Sequence, residues 1–493
     1  MAGTVSTDLY IGGQARGTTG SVPIPDPGRP GVVVGHSAAA TPEDVADAVA
    51  AARSAFPGWS GLGPSERAAR LEAALKGIAE NRDEDAAILS QENGKIRFEA
   101  WVDSLVLELR WRLALGHVDE VDASSVLPPV HGAIPVRTTV SYQPLGVVTI
   151  IVPFNWPIAI LGASLPHALL AGNTVIVKPP LTAPLATTRV VRRIAEQLPP
   201  GVLNVVTGPD DAMTGLISNE DVAKVCFTGS VGGGRKMMEL AAPTLTRLTL
   251  ELGGNDAAVV LADAVLDDVH LDRLFAAVYD TTGQICMNAK RLIVHRSRLD
   301  EVVDGLAARL EKVKLGHGLD GTTTMGPLHS PAQKRFVEEL VAEAKASGAR
   351  VLEFGELPGG DLSDGHFVRP AIVVDPELTL RVVTEEQFGP VIPVIPFDAE
   401  DDAVALANDT WAGLAGSVWT ADPQAADRVG NRLVCGYVWV NDHGATRLDL
   451  RAPFGGMKAS GYGREQGIAG IRAFQDTRAV AHLDAAALAS MAH

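Results

Sequence analysis

The residue with the clearest chemical potential is Cys286, in the turn 282–287 (TGQICM), between a helix-like run at 274–281 and a strand-like run at 291–294. Only three cysteines occur in 493 residues, which leaves neither a disulfide framework nor a thiolate metal site. Cys226 and Cys435 lie in apolar strand patterns, where a cysteine usually acts as a small hydrophobe. Cys286 follows a glycine that lets the backbone turn and expose the thiol. We interpret Cys286 as a nucleophile, although a lone loop cysteine is by itself more often inert.

Two further polar residues stand at the ends of predicted strands. Glu251 opens the segment 251–254 (ELGG), and its paired glycines allow the carboxylate to face a cleft. Asn155 lies in the stiff segment 153–157 (PFNWP), from which its amide could donate to an oxyanion. Taken alone, the glutamate is better explained as a solvated acid at a hinge and the asparagine as a helix cap.

A third feature, at 227–234 (FTGSVGGG), is a strand followed by a glycine-rich turn and a helix start, where backbone N–H groups can bind a phosphate. It lacks the G-x-G-x-x-G spacing and is a weak dinucleotide fingerprint. Lys178 ends another predicted strand and could reach a ribose or a phosphate, although a lysine at a strand end is usually only solvated.

Taken together and in chain order, these residues resemble the aldehyde dehydrogenase superfamily. The resemblance covers nearly the whole chain and is carried by Asn155, Lys178, Gly229, Ser230, Glu251, Cys286 and the segments 10–13, 385–391, 407–410, 413–419 and 453–465.

The resemblance implies a role for each matching position. Cys286 would form a thiohemiacetal and then a thioester with an aldehyde, in an oxyanion hole made by Asn155 and the Cys286 N–H. Glu251 would activate the water that releases the acid, and Glu465 would assist proton transfer. The implied cofactor is NAD or NADP, and the implied cofactor-binding residues are Phe154, Lys178, Leu181, Gly229, Ser230, Gly234, Gly253, Glu386 and Phe388.

Two departures from the family pattern bear on specificity. A glutamate frequent in the family is replaced by Leu181, so we expect NADP to be accepted; Phe154 stands where tryptophan is common. The residues expected to line the substrate tunnel are mostly apolar and favour an aromatic or medium-chain aldehyde: Phe154, Ile160, Ala163, Ile285, Met287 and Thr446.

Three alternatives stay open at this point. Arg447 and Arg451 would suit a carboxylate-bearing semialdehyde. A CoA-acylating relative is disfavoured because Glu251 is present, and a catalytically silent structural homologue is disfavoured because Cys286, Glu251 and Asn155 occur together.

The elements that must position these residues alternate between strand and helix from residue 146 onward, which predicts an α/β fold with two doubly wound parallel sheets. We predict a cofactor-binding domain at 1–120 and 145–253, and a catalytic domain at 254–459. Residues 121–144 and 460–493 are predicted to form bridging and oligomerisation segments. A proline-rich loop is expected at 23–30, and helices are expected at 65–80, 84–92 and 98–115.

Composition and charge exclude several function classes. The net charge is −17 without a lysine or arginine cluster, which argues against a nucleic-acid partner. The uncharged stretch 138–177 is broken by prolines, so no membrane span is expected, and no export signal is recognised. We therefore expect a cytoplasmic protein. The strand patterns at 136–142 and 479–483 have no evident place in the two main sheets, which favours a homodimer or homotetramer.

Overall fold

The computed structural model describes residues 5–128, 136–484 and 488. Two large sheets dominate it, one with eight strands and one with seven, and most neighbouring strands in both run parallel. Alternate residues of Val147–Ile151 enter different hydrophobic clusters, since Val148 and Ile150 pack on one face and Val147 and Ile151 on the other. Both faces of the sheet are therefore buried, and the predicted α/β class is confirmed.

The first sheet brings several candidate residues to one edge. Its strands in spatial order are Gly461–Tyr462, Arg247–Glu251, Val222–Thr228, Val147–Ile151, Thr174–Lys178, Leu203–Val205, Leu9–Ile11 and Gln14–Arg16. The five strands from Arg247–Glu251 to Leu203–Val205 are parallel, so Glu251, Thr228 and Lys178 end at the same carboxyl edge. Ligands of open parallel sheets bind at this edge.

The second sheet presents its opposite edge to the site. Its strands in spatial order are Arg350–Glu353, Ala371–Val374, Val391–Phe397, Ala289–His295, Asp256–Val260, Ala415–Trp419 and Tyr437–Val440. Four residues connect Glu251 in the first sheet to Asp256 in the second. Cys286 precedes Ala289–His295, so the nucleophile turn lies at the amino edge of the second sheet and faces the carboxyl edge of the first.

Three smaller sheets complete the strand inventory of the described residues. Val5–Thr7, Arg29–Ala38 and Ser21–Asp26 form one, and Ala412–Gly413 pairs with Met457–Lys458 in another. In the third, Val136–Pro144 lies between Gln475–Leu483 and Ser125–Val126. The two strands without a place in the main sheets thus pair with each other inside one chain. The predicted oligomerisation segments lie partly outside the described residues.

One of the longer helices, Arg97–Leu115, lies within one residue of its predicted bounds, 98–115. Thr41 caps the first of them through a capping box, with Pro42 in the first turn. The α-helices of at least eight residues are Pro42–Ser60, Pro64–Ala74, Lys76–Asn93, Arg97–Leu115, Pro157–Leu170, Leu185–Ala195, Val231–Ala241, Asp268–Tyr279, Leu299–Leu310, Pro331–Ala346, Glu400–Asn408 and Pro423–Gly430.

Two local predictions are wrong. The proline-rich stretch at 23–30 belongs to a β-hairpin in which Ser21–Asp26 pairs with Arg29–Ala38. The pairing register shifts on both sides of Pro25, which lets the hairpin accommodate a residue without an N–H donor. The helix predicted at 65–80 is interrupted at Leu75, and the following helix Lys76–Asn93 includes the one predicted separately at 84–92. Among the described residues, no helix has the length and apolar character needed to cross a bilayer.

Candidate active site

The nucleophile turn has an unusual backbone that neighbouring groups hold in place. Thr281 and Thr282 both have left-handed conformations, with φ of 55° and 56°. The Glu99 carboxylate accepts a hydrogen bond from the Thr281 N–H at 2.6 Å, and the Thr282 hydroxyl donates to the Gly326 carbonyl at 3.0 Å. Two consecutive left-handed threonines are costly and persist only when their surroundings fix them.

Two glycines allow the backbone to pass close to this turn. Gly283 has a φ of +75°, and a Cβ atom added there would lie 2.3 Å from the Gly389 carbonyl oxygen. A Cβ atom at Gly254 would lie 2.5 Å from the Cys286 carbonyl oxygen. The glycines after Glu251 therefore let the end of the first sheet approach the nucleophile, beyond the hinge function that the sequence suggests.

Asn155 lies beside the nucleophile, where the sequence places an oxyanion donor. Its Nδ2 donates to the Gln284 carbonyl at 2.9 Å, and the side chain is almost fully buried. An amide nitrogen carries two N–H donors, so a second one is available to a ligand. Trp156 fixes the same segment by donating from Nε1 to the Thr281 hydroxyl at 3.0 Å.

The two candidate acids face each other in a buried part of the site. Burial, reinforced by the charge of Glu465 and opposed by the charge of Arg464 and by the nearby Gly456 N–H, raises the pKa of Glu251 well above its usual value. Neither carboxylate oxygen reaches full hydrogen-bond geometry with a described residue. Burial also raises the pKa of Glu465, whose carboxylate accepts a hydrogen bond from Ser164. A carboxyl group with a raised pKa can act as a base near neutral pH.

The Cys286 thiol is more strongly protonated than an ordinary cysteine. Burial raises its pKa to about 12, the charge of Lys290 opposes this shift, and the charges of Glu386, Asp256 and Glu251 add to it. A free thiol with a pKa of about 8.5 is a few per cent ionised at neutral pH. In this structure the thiol needs a base or a cation nearby to become a thiolate.

A cleft of about 670 Å³, including its open mouth, meets Cys286, Asn155 and Glu251. Five of the six residues predicted to line the tunnel do so, namely Ile160, Ala163, Ile285, Met287 and Thr446. Phe154 is not among the lining residues, because its ring stacks on His329 with 4.1 Å between centroids and meets Phe388 edge-on. Glu465, predicted from the sequence to assist proton transfer, also lines the cleft. The remaining lining residues were not identified from the sequence: Val106, Arg110, Trp156, Ala159, Thr228, Leu252, Leu414, Ala445, Phe454 and Gln466.

The arginines of the semialdehyde alternative are engaged elsewhere. Arg447 pairs with Asp442 at 3.2 Å and with Asp280 at 3.4 Å. Arg451 pairs with Asp449 at 2.7 Å, and its side chain is 77% exposed. Neither arginine lines the cleft. Arg110 does, but its guanidinium donates to the Ala159 carbonyl at 2.7 Å.

The predicted cofactor residues lie on both sides of the junction between the sheets. The Glu386 carboxylate accepts a hydrogen bond from the Gly254 N–H at 3.2 Å, and a Cβ atom at Gly253 would lie 2.2 Å from Glu386 Oε2. Gly253 thus leaves the room that this carboxylate occupies. Burial raises the pKa of Glu386.

The glycine-rich turn precedes the helix Val231–Ala241. Ser230 caps this helix by accepting from the Gly233 N–H at 3.1 Å, and a Cβ atom at Gly234 would overlap Leu252. The first N–H groups of a helix attract phosphate, so the turn fits a pyrophosphate. Gly229 adjoins the cap and packs against the Phe227 ring.

Lys178 and Leu181 lie at the end of a neighbouring strand of the first sheet. Lys178 donates from Nζ to Asp210 at 2.9 Å, with 89% of the Asp210 side chain exposed, and Leu181 is half-buried. A dinucleotide fits this set: Lys178 for the adenosine ribose, the glycine-rich turn for the pyrophosphate, and Glu386 for the second ribose.

Comparison with known proteins gives one consistent result. The profile described as the Aldehyde dehydrogenase family matches residues 15–480. Peroxisomal aminoaldehyde dehydrogenase 1 of Pisum sativum is 36% identical over 97% of this chain and 96% of its own. Geranial dehydrogenase of Castellaniella defragrans is 36% identical over 89% of this chain and 90% of its own. The crystal structure of Staphylococcus aureus betaine aldehyde dehydrogenase in complex with NAD+ superimposes with a TM-score of 0.92 at 31% identity, covering 98% of this chain and 96% of that one.

Proposed function

The chain belongs to the aldehyde dehydrogenase family, and from this premise we propose that it oxidises an apolar aromatic or medium-chain aldehyde to the free acid, with Cys286 as nucleophile. The observation that carries the proposal is the convergence of Cys286, Asn155 and Glu251 on one cleft with mostly apolar walls. Such a cleft with a few convergent polar groups is the usual form of a small-molecule site.

In the proposed first half-reaction, the Cys286 sulfur bonds to the carbonyl carbon of the aldehyde and the thiol proton passes to a base. Glu251 is the unpartnered carboxylate of the cleft and is the proposed base. The carbonyl oxygen becomes an oxyanion that accepts hydrogen bonds from the free N–H of the Asn155 amide and from the Cys286 N–H. An oxidised nicotinamide, when bound, supplies the acceptor for the hydride that the adduct loses.

In the proposed second half-reaction, Glu251 first passes the thiol proton out of the cleft through Glu465. It then takes a proton from a water molecule, and the water oxygen bonds to the carbonyl carbon of the Cys286 thioester. The carbon–sulfur bond then breaks, which releases the acid and the thiolate. Glu465, linked to Ser164 and close to Glu251, is the proposed group through which the proton leaves the cleft. This use of water distinguishes the proposal from a CoA-acylating reaction.

The cleft walls support an apolar substrate. Aliphatic or small side chains such as Val106, Ile160, Ala163 and Leu414 make most of its surface, and neither Arg447 nor Arg451 lines it. The relative named geranial dehydrogenase is consistent with this choice, because geranial is an apolar aldehyde.

A small cationic aldehyde is the second candidate, favoured by the relatives named for aminoaldehyde and betaine aldehyde. A quaternary ammonium binds best to several aromatic faces. The aromatic residues of the cleft are Trp156 and Phe454, and Lys95 Nζ already lies 4.1 Å from the centroid of the Trp156 ring. This arrangement supports the apolar substrate more than the cationic one.

For the cofactor, we expect NAD to be used and NADP to be accepted. The NAD+ complexes of the betaine aldehyde dehydrogenase relative support the first statement. Leu181 supports the second, because an apolar side chain neither attracts the ribose hydroxyls nor repels a 2'-phosphate.

A substrate panel tests the function. Octanal, benzaldehyde, succinic semialdehyde, aminobutanal and betaine aldehyde would be compared by nicotinamide absorbance, with and without CoA. Octanal or benzaldehyde should give the highest kcat/KM and a free acid without CoA. A highest value for aminobutanal or betaine aldehyde would contradict the apolar substrate, and turnover that requires CoA would contradict hydrolysis.

A further inference from the structure

Lys290 is a buried cation that the proposed mechanism leaves without a role. It is the second residue of Ala289–His295, and only 3% of it is exposed. Successive residues of a strand point to opposite faces. Arg291 accordingly donates to the carbonyls of Asn255 and Ala407, whereas Lys290 reaches back to the nucleophile turn. Since lysine is almost never fully buried without partners, these partners indicate its role.

The partners of Lys290 are three backbone carbonyls around the nucleophile. Its Nζ donates to the carbonyl oxygens of Ile285, of Cys286 at 3.3 Å and of Asn288 at 3.3 Å. An ammonium group has three N–H donors and no acceptor, so these carbonyls match its full capacity. Lys290 therefore holds the turn before, at and after Cys286.

The charged groups that face Cys286 from the surrounding elements are of both signs. The acids are Glu251 from the first sheet, Asp256 from the second, and Glu386 from the loop before Val391–Phe397. The cations are Lys290 and Arg110, the latter from the helix Arg97–Leu115. Each acid disfavours a negative charge on sulfur, and Lys290 favours it.

We propose that Lys290 is a positioning residue that fixes the Cys286 turn through its three carbonyls and stabilises the Cys286 thiolate by its charge. This proposal rests on the proposed role of Cys286 as nucleophile. Burial lowers the pKa of Lys290, while Glu386 and Asp256 raise it and so help to retain the ammonium form.

Three substitutions of Lys290 separate the effect of its charge from the effect of its hydrogen bonds to the turn. Lys290→Met removes charge and donors, Lys290→Gln removes the charge but keeps an amide donor, and Lys290→Arg keeps the charge. Lys334→Met is the matched control, because Lys334 donates to the Gly365 carbonyl at 3.2 Å in another part of the chain. In full-length protein, carbamidomethylation of the Cys286 peptide by iodoacetamide would be followed by mass spectrometry between about pH 7 and pH 10, a range in which its rate follows the thiolate fraction.

We expect both neutral variants to react about tenfold more slowly than the parent protein, or slower still, throughout this range, because one unit of thiol pKa changes the thiolate fraction tenfold. Their kcat/KM should fall by a similar factor over the same pH range. Lys290→Arg and Lys334→Met should stay within about threefold of the parent rate, on the same scale.

If Cys286 in Lys290→Gln is alkylated at the rate of the parent protein, the proposal is overturned, because the hydrogen bonds to the turn would then suffice without the charge. Thermal unfolding would show whether each variant is folded. If Lys290→Met does not fold, the alkylation rate of Cys286 in Lys290→Gln alone tests the proposal. Undiminished activity of Cys286→Ala would instead refute the proposed nucleophile, so the two failures are distinguishable.

Discussion

The choice between NAD and NADP should respond more to Leu181 than to Asp210. A carboxylate in Leu181→Glu would accept hydrogen bonds from the adenosine ribose hydroxyls and repel a 2'-phosphate. A hydrogen bond to a charged group contributes about 1.5 to 3 kcal/mol, which corresponds to roughly ten- to a hundredfold in relative affinity. We therefore expect Leu181→Glu to shift the ratio of kcat/KM for NAD over NADP upward by at least about tenfold.

The ion pair between Lys178 and Asp210 should influence the cofactor preference less than Leu181 does, and its loss should shift that preference toward NADP. The Asp210 side chain is 89% exposed, and such surface pairs contribute about 0 to 1 kcal/mol. Asp210→Asn should free Lys178 for a 2'-phosphate and favour NADP by no more than about fivefold.

The assay is initial-rate kinetics with both cofactors at one aldehyde concentration series, for the parent and both variants. The parent should use NADP comparably with NAD. A parent preference for NAD of a hundredfold or more would refute the reasoning about Leu181. A larger shift in Asp210→Asn than in Leu181→Glu would identify Asp210 as the discriminating carboxylate.

Four further predictions concern the nucleophile, the base, the turn and the assembly. Cys286→Ala should abolish turnover but retain NAD+ binding by fluorescence titration, and residual activity above a few per cent would contradict the nucleophile. Glu251→Gln should abolish both the burst of reduced cofactor and turnover, because Glu251 is the proposed base in both half-reactions, whereas a retained burst near one equivalent per site followed by slow turnover would restrict Glu251 to deacylation. Gly283→Ala should lower both the melting temperature and activity, because the new Cβ would lie 2.3 Å from the Gly389 carbonyl oxygen; unchanged values would show that the turn relaxes. Light scattering should give a dimer or tetramer, because the long edge strand Gln475–Leu483 is largely exposed in one chain, and a stable monomer near 51.6 kDa would refute this.

The sequence predicts the parallel sheets well because their buried strands are continuous apolar runs between turn signals. Ala371–Val374 is one example, since it is buried throughout and runs parallel to Val391–Phe397. The hairpin Ser21–Asp26 with Arg29–Ala38 is missed because prolines suggest a loop unless the register shifts that accommodate them are known. The break at Leu75 is missed because the one glycine near it, Gly77, lies inside the following helix and not at the break.

The prediction of the site residues depends on local sequence signals in the same way. Cys286, Asn155 and Glu251 can be selected because each stands beside a glycine or proline that marks a special backbone. Arg110 cannot, because on a helix it looks no different from Arg112, which is exposed. Lys290 has one usable signal: a lysine and an arginine begin an otherwise apolar strand, and charged residues at such positions must find buried partners.

The oligomer argument from the sequence also has to change. It assumed that the strands at 136–142 and 479–483 lack partners in their own chain, but they pair with each other over nine residues. Among the described residues, the outer edge of Gln475–Leu483 has no partner strand, since this strand is terminal in its sheet. The expectation of an oligomer now rests on that edge alone.

The site combines backbone strain with buried charge. In the proposed mechanism, both act on the Cys286 thiol, the first on its position and the second on its ionisation. Thr281 and Thr282 hold a left-handed backbone that costs on the order of 1 to 3 kcal/mol per residue. Glu99, Gly326 and Lys290 fasten the turn on both sides of Cys286. A flexible turn would let the thiol find solvent, where its pKa would be ordinary but its position relative to the oxyanion donors would vary. The structure instead fixes the position and leaves the thiol half-buried, so its ionisation depends on the charges around it. Lys290→Met should therefore affect thiol alkylation more than the neutralisation of Glu386 or Asp256, because it takes away attraction for the thiolate and also leaves three carbonyls without their donor.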